Sequence, residues 1–354
     1  MKVFEKYLAI WVAVCMGIGI LLSQMVPGIG KTIDSWQIRG ISIPIGICLF
    51  LMMYPALLNL QLSELKKLKD NPKPILLSLV SNWVVAPLVA TLLARLFLRG
   101  NEQLIVAVIL LGASPCTAMV LVWGRLAEGN QEQNVVNTSL NTVTIMLLYV
   151  PMVSLLTGIQ GIPIDRGLLA ISALVFIGLP LLIGVVSKRL LVAAKGEVWF
   201  DATYRPIVEK VAIAALLTTL IVLFSLNGQV LLEHFDQLLL VSVPLLLGFA
   251  IVVGYNILVT RAFGLAYREA ITTVIIGSSS HFEIAIATAV AMYGVGSFAA
   301  LGTTMGLFWE VPIMLSLVYL GKALGRSGFW SGQRPVFRTG ARLTRAPVEA
   351  KEVD

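Results

Sequence analysis

Charge is scarce in this sequence: Asp, Glu, Lys and Arg make up only 13% of its 354 residues. Soluble domains carry about twice that share, so a water-facing globule is excluded. Histidine is nearly absent too, with only His234 and His281. No His-Glu-x-x-His run, no paired membrane aspartates and no mid-span Ser–His or Ser–Lys arrangement argue for an intramembrane enzyme. Neither a cofactor nor a metal centre is expected. The three cysteines, Cys15, Cys48 and Cys116, all fall in apolar runs. An odd number placed that way is no disulfide framework. Long polar stretches between the apolar runs are missing as well, which leaves no room for a separate soluble domain.

What is present is hydrocarbon. Hydrophobic residues make up 58% of the chain and the mean hydropathy is +0.90. Apolar runs of about 20 residues, enough to cross a bilayer core, recur from end to end. They predict an all-α polytopic membrane protein with ten spans, at 7–27, 40–60, 74–97, 103–124, 134–157, 167–188, 207–227, 237–260, 268–293 and 298–321. The first has no small-residue cleavage pattern after it and reads as a span rather than a leader.

The formal charge of +7 is orientation information. With the amino terminus on one side, 21 of the 26 Lys and Arg gather on that face and 5 on the other. By the positive-inside rule both termini are cytoplasmic, in a plasma (inner) membrane. No nucleic-acid partner is implied; the bilayer is the partner.

An internal repeat organises the spans. "LLGASPCTAMV" in the fourth is echoed by "IIGSSSHFEIA" in the ninth, pairing Gly112 with Gly277 and Cys116 with His281. "YVPMVSLL" from Tyr149 is echoed by "EVPIMLSL" from Glu310. Five spans per half put the second half upside down, the inverted layout whose sites form near the bilayer midplane from broken helices. The halves are 1–160 and 161–322, followed by a cytoplasmic tail at 323–354 whose composition reads as disordered. Non-helical backbone at membrane depth is tolerated only where protein or a wet cavity satisfies it. Gly112, Ser114 and Pro115 therefore predict a break that crosses a second break at Ser278, Ser279 and Ser280, with amides free to bind a ligand.

Glu283 is the strongest single signal. A charged carboxylate at mid-span costs about 2.5–3.5 kcal/mol on insertion scales, and such residues are functional or held by a partner. A carboxyl that holds a proton until the site reorganises is what a proton-coupled carrier needs. Glu310 is a second mid-span acid that fits a functional role and a structural one equally. Cys116 stands apart from Cys15 and Cys48 because it follows Ser-Pro at the break, where helix-end amides favour thiolate. His281 fits a proton-shuttling or substrate-binding role and reads better as a polar residue satisfying the second break. Asn82, Asn141 and Thr142 read as helix–helix hydrogen-bonding groups.

Taken together, "GASPCTAMVLVW", "GSSSHFEIAIATA" and "EVPIML" resemble the arsenite efflux permeases of the bile acid/arsenite/riboflavin transporter superfamily, over roughly residues 5 to 322. The resemblance implies a ten-helix inverted-repeat carrier exporting arsenite or antimonite in exchange for protons. It implies that Cys116 and Glu283 are the essential pair. Around them Ser114 and Thr117 complete the substrate site, and Pro115, Ser278, Ser279, Ser280, His281, Asn141 and Glu310 support the crossover. One departure is Asn141-Thr142, where many members carry Asn-Asp. The chemistry suits the resemblance: trivalent arsenic is soft and prefers sulfur, and a single thiol holds it loosely enough to let go. The rival is a sodium-coupled symporter of organic anions on the same fold, with the crossover serines on sodium.

Overall fold

The computed structural model describes residues 8–26, 36–38, 41–58, 71–117, 119–226, 232–233, 235–294 and 296–330. His234, most of the basic run before Asn71 and the tail from 331 onward lie outside these. The chain is helical, apart from a two-residue ribbon of β1 (Gln37–Ile38) against β2 (Ile41–Ser42). The helices are α1 (Leu8–Met25), α2 (Ile43–Leu58), α3 (Pro72–Phe97), α4 (Glu102–Gly112), α5 (Met119–Leu126) and α6 (Gln131–Ile159). They continue with α7 (Arg166–Lys195), α8 (Arg205–Leu226), α9 (Phe235–Ala262), α10 (Tyr267–Ser278), α11 (Phe282–Tyr293) and α12 (Phe298–Arg326). Among the described residues six helices are long and apolar enough to cross a membrane, including α3, α6, α7 and α12. Shorter apolar helices, α4 and α11 among them, lie between.

The helices pack in two groups. In one, α8 lies along α1 and α2, and α2 also lies along α7. In the other, α3 packs on α4 and α9, α9 on α10, and α12 on both α4 and α11. The groups meet where α2 and α7 touch α11 and where α1 and α8 touch α12. The short helices are the interior: every residue from Leu104 to Leu111 of α4 is buried, as is every residue from Ala270 to Ser278 of α10. A helix that is apolar all round is a core helix. The long helices keep a greasy outer face, with Leu174 and Leu182 of α7 more than 60% exposed. That is the face a bilayer covers.

Two glycines one turn apart seat α4 on α12. A Cβ at Gly302 would meet Ala107 Cβ at 2.8 Å, and one at Gly306 would meet Leu111 Cδ1 at 2.6 Å. Only glycine allows this approach.

Three helical runs widen into a π-turn, at Ser81–Val85, Leu174–Gly178 and Phe200–Tyr204. Each is followed after one residue by a proline: Pro87, Pro180 and Pro206. Proline lacks the N–H of an α-turn and its ring crowds the carbonyl four residues back. Widening the preceding turn removes that crowding, and the amides of Ala86, Leu179 and Arg205 instead reach back five residues.

The carboxy-terminal end differs from expectation. Helix α12 runs past 322 to Arg326, and Phe329 and Trp330 are docked rather than loose. Trp330 is buried, its indole donating to Thr260 Oγ1 at 3.1 Å, while Arg261 lies 4.2 Å from the centre of the Phe329 ring. Two aromatic side chains outweigh the polar composition around them.

Candidate functional site

The small residues after α4 do break the helix, and the serines after α10 break theirs. The two breaks lie against each other as a short antiparallel pair, with Pro115 opposite Ser280. Cys116 N–H donates to Ser279 O at 3.3 Å, and His281 N–H donates to Ser114 O at 2.6 Å. Pro115 takes the one position of this pairing that requires no N–H, so its missing donor is not missed. The expectation of free amides is corrected here. The amides of Cys116 and His281 are used by the pairing, and that of Ser280 by Glu310.

Each flank is held by side chains. Ser114 Oγ closes the end of α4 on Leu110 O at 2.8 Å. Asn141 of α6 donates from Nδ2 to Cys116 O at 3.0 Å and accepts at Oδ1 from Asn82 Nδ2 at 3.2 Å. Thr142 turns instead to Thr138 O within its own helix. On the other strand, Glu310 of α12 collects Ser279 Oγ at 2.6 Å, Ser280 N–H at 3.0 Å and Ser280 Oγ. It is a seat for the second break.

Two residues that the sequence did not single out complete the frame. Ser81 Oγ donates to Gly277 O at 2.7 Å, and Asn256 Nδ2 of α9 reaches Ser81 Oγ at 2.8 Å and Ser278 Oγ at 3.1 Å. Ser81 and Asn82 are consecutive in the first π-turn. One therefore serves the second break and the other, through Asn141, the first. A buried asparagine in an apolar helix was the available signal for Asn256. Nothing in the sequence marked Ser81.

Glu283 lies in the first turn of α11, where the helix end favours negative charge. Its partner is not a lysine or arginine but His281, with Nδ1 2.8 Å from Glu283 Oε2. His281 is 1% exposed and its Nε2 has no hydrogen-bond partner. Thr117 is equally buried and its Oγ1 also lacks a partner. The thiol of Cys116 is buried, 2% exposed, and not in a disulfide. An apolar cavity of about 80 Å³ lies against the crossover. Ser114, Ser278, Ser279, Ser280 and Asn82 form its polar part, while Cys116, His281 and Glu283 are not among its walls.

A buried polar crossover inside an apolar multi-helix bundle is the build of a membrane transporter. The sequence relationships agree: residues 46–234 match the sodium bile acid symporter family, and the chain belongs to it. An uncharacterized transporter of Synechocystis is 38% identical over 95% of this chain and 92% of its own. The arsenical-resistance protein Acr3 of Alkaliphilus metalliredigens is 33% identical over 92% of this chain and 94% of its own. Acr3 of Corynebacterium glutamicum is 29% identical, covering 96% and 94%.

Proposed function

We propose that this protein is a secondary carrier that exports trivalent metalloid, arsenite and with it antimonite, from the cytoplasm in exchange for protons. In this reading it has ten spans as two inverted five-helix repeats in the inner membrane, with both termini cytoplasmic. The observation that carries it is the paired crossover, with a thiol on one strand and a histidine–carboxylate pair beginning the helix after the other. The relatedness to two arsenical-resistance proteins over nearly the whole chain supports the substrate.

The chemistry runs through Cys116. As(OH)3 exchanges one hydroxyl for the thiol: an As–O bond breaks, an As–S bond forms, and the thiol proton leaves with the hydroxyl as water. Ser114 and Thr117 flank the sulfur. Glu283 carries the counter-transported proton, and Asn141, Pro115, Ser278, Ser279, Ser280, His281 and Glu310 hold the crossover in shape. Rocking of one helix group against the other exposes the site on alternate sides.

Cells without their own arsenite exporters test this directly. Expression of the wild type is expected to lower arsenite accumulation, and Cys116→Ser to restore it to the level of empty cells. Accumulation equal to empty cells, with the protein confirmed in the membrane, overturns the reading. Glu283→Gln is expected to abolish net efflux while leaving expression intact.

A second reading, sodium-coupled uptake of organic anions, is favoured by one observation. The cavity is lined by crossover serines and Asn82 but not by the thiol. Sodium-dependent uptake of a bile acid into vesicles, with no arsenite transport, would establish it instead.

A further inference from the structure

His281 bonds Glu283 through one ring nitrogen and leaves the other, buried, with nothing to bond. A polar atom orphaned that deep is destabilising unless a ligand completes it. The pairing of the breaks sets Ser114 opposite His281 and Cys116 opposite Ser279. By the alternation of such a pair, Ser114, Cys116 and His281 take positions of one face, while the hydroxyl of Ser279 turns with that of Ser280 to Glu310. His281 is the diagonal neighbour of Cys116, a relation that long side chains span.

We infer that Nε2 of His281 is the hydrogen-bond acceptor for a hydroxyl of the substrate, and that proton binding to the His281–Glu283 pair cancels it. The inference rests on the metalloid–proton exchange proposed above and supplies its coupling step. When the pair holds one proton, Nδ1–H donates to the Glu283 carboxylate and Nε2 carries a bare lone pair. That lone pair takes an As–OH donor, and beside a carboxylate it disfavours an anion. When a second proton arrives it settles in one of two places. On Glu283, the acid donates to Nδ1 and the ring proton moves to Nε2; on the ring, both nitrogens carry hydrogen. In both cases Nε2 becomes a donor, and the substrate hydroxyl loses its acceptor. Proton and metalloid are thus alternatives at one atom, the condition for exchange rather than co-transport.

The ionisable groups around this atom are few. Glu283 is its partner, Cys116 is on the opposite strand, and Glu310 of α12 is bonded to the serines. Tyr149 of α6 is turned to Thr288 of α11. Of the other elements packed on α11, α4 carries Glu102 at its start, α7 carries Arg166 at its start and Lys188, Arg189 and Lys195 toward its end, and α12 adds Tyr319, Lys322 and Arg326 toward its end. The described part of α2 adds Cys48, partly buried, and Tyr54, bonded to Ser187 and Tyr204.

Arsenite uptake into inside-out vesicles tests the inference, with the apparent KM measured between pH 7.5 and 5.5. Competition by one proton is expected to raise the wild-type KM by a factor approaching ten per pH unit once the pair protonates. His281→Asn keeps a donor for Glu283 but has no second nitrogen, so its KM is expected to be higher at pH 7.5 and to change less than about threefold across the range. If Asn fails to reach the membrane, His281→Gln makes the same comparison. A substituted carrier that keeps the wild-type KM and its pH response overturns the inference while leaving metalloid export standing. Wild-type vesicles that take up no arsenite at any pH overturn the transport reading and this inference with it.

Discussion

Glu310 shows how a single residue in this membrane interior combines cost and use. Its carboxyl is 3% exposed, yet three donors from Ser279 and Ser280 converge on it. Glu310→Leu leaves those donors without an acceptor, at about 1–3 kcal/mol for each that stays unbonded. A lower thermal midpoint in detergent, by several degrees, is expected, and Glu310→Gln, which keeps one accepting oxygen, should lose less. Equal midpoints for Leu and wild type would show that the serines do not depend on this seat. The acid itself was visible in the sequence, because a mid-span glutamate stands out among apolar neighbours. Which groups it would bond was not, because Ser279 and Ser280 lie 30 or more positions away along the chain. For His281 the sequence offers two roles, a proton-shuttling or substrate-binding ring and a polar residue satisfying the break. Its backbone joins the pairing, while its ring bonds Glu283, two residues on, and leaves one nitrogen over.

Among the elements, the breaks were legible because Gly, Ser and Pro in an apolar run have no other good use. The π-turns were not legible, although each precedes a proline at the same spacing. A π-turn and an α-turn have the same composition, and only the proline's missing N–H separates them. Nor did the glycine pair of α12 stand out within "LGTTMGLF", since close approach depends on a partner helix. That pair yields an element-level expectation. Gly306→Val drives a side chain into Leu111 and is expected to cost about 1–3 kcal/mol. Gly254→Ala in α9, where a Cβ meets nothing within 4 Å, should be neutral or stabilise the helix by up to about 1 kcal/mol. Thermal unfolding of the two variants side by side checks this. A loss at Gly254 as large as that at Gly306 would mean that helix propensity, not the α4–α12 seat, is being measured.

For the whole molecule, two properties have to agree before export is a meaningful word. The first is the division into two helix groups that meet where α2 and α7 touch α11 and α1 and α8 touch α12. In the proposed carrier, a site held by α3, α9 and α12 would move as one body with its group, so that rocking presents it to either side without dismantling the crossover. The second is absolute orientation, which the fold alone does not give. The proposed orientation comes from charge: with ten spans, 21 of the 26 basic residues gather on the face that holds the termini. Each such residue resists translocation, and loops this short are governed by the rule. A green fluorescent protein fused after Asp354 is therefore expected to fluoresce, since it folds in the cytoplasm, and alkaline phosphatase at the same place to be inactive. The opposite pattern would reverse the molecule in its membrane. Cytoplasmic arsenite would then meet the face now assigned to the outside, and any coupling through His281 and Glu283 would run with the proton gradient on the wrong side of the exchange.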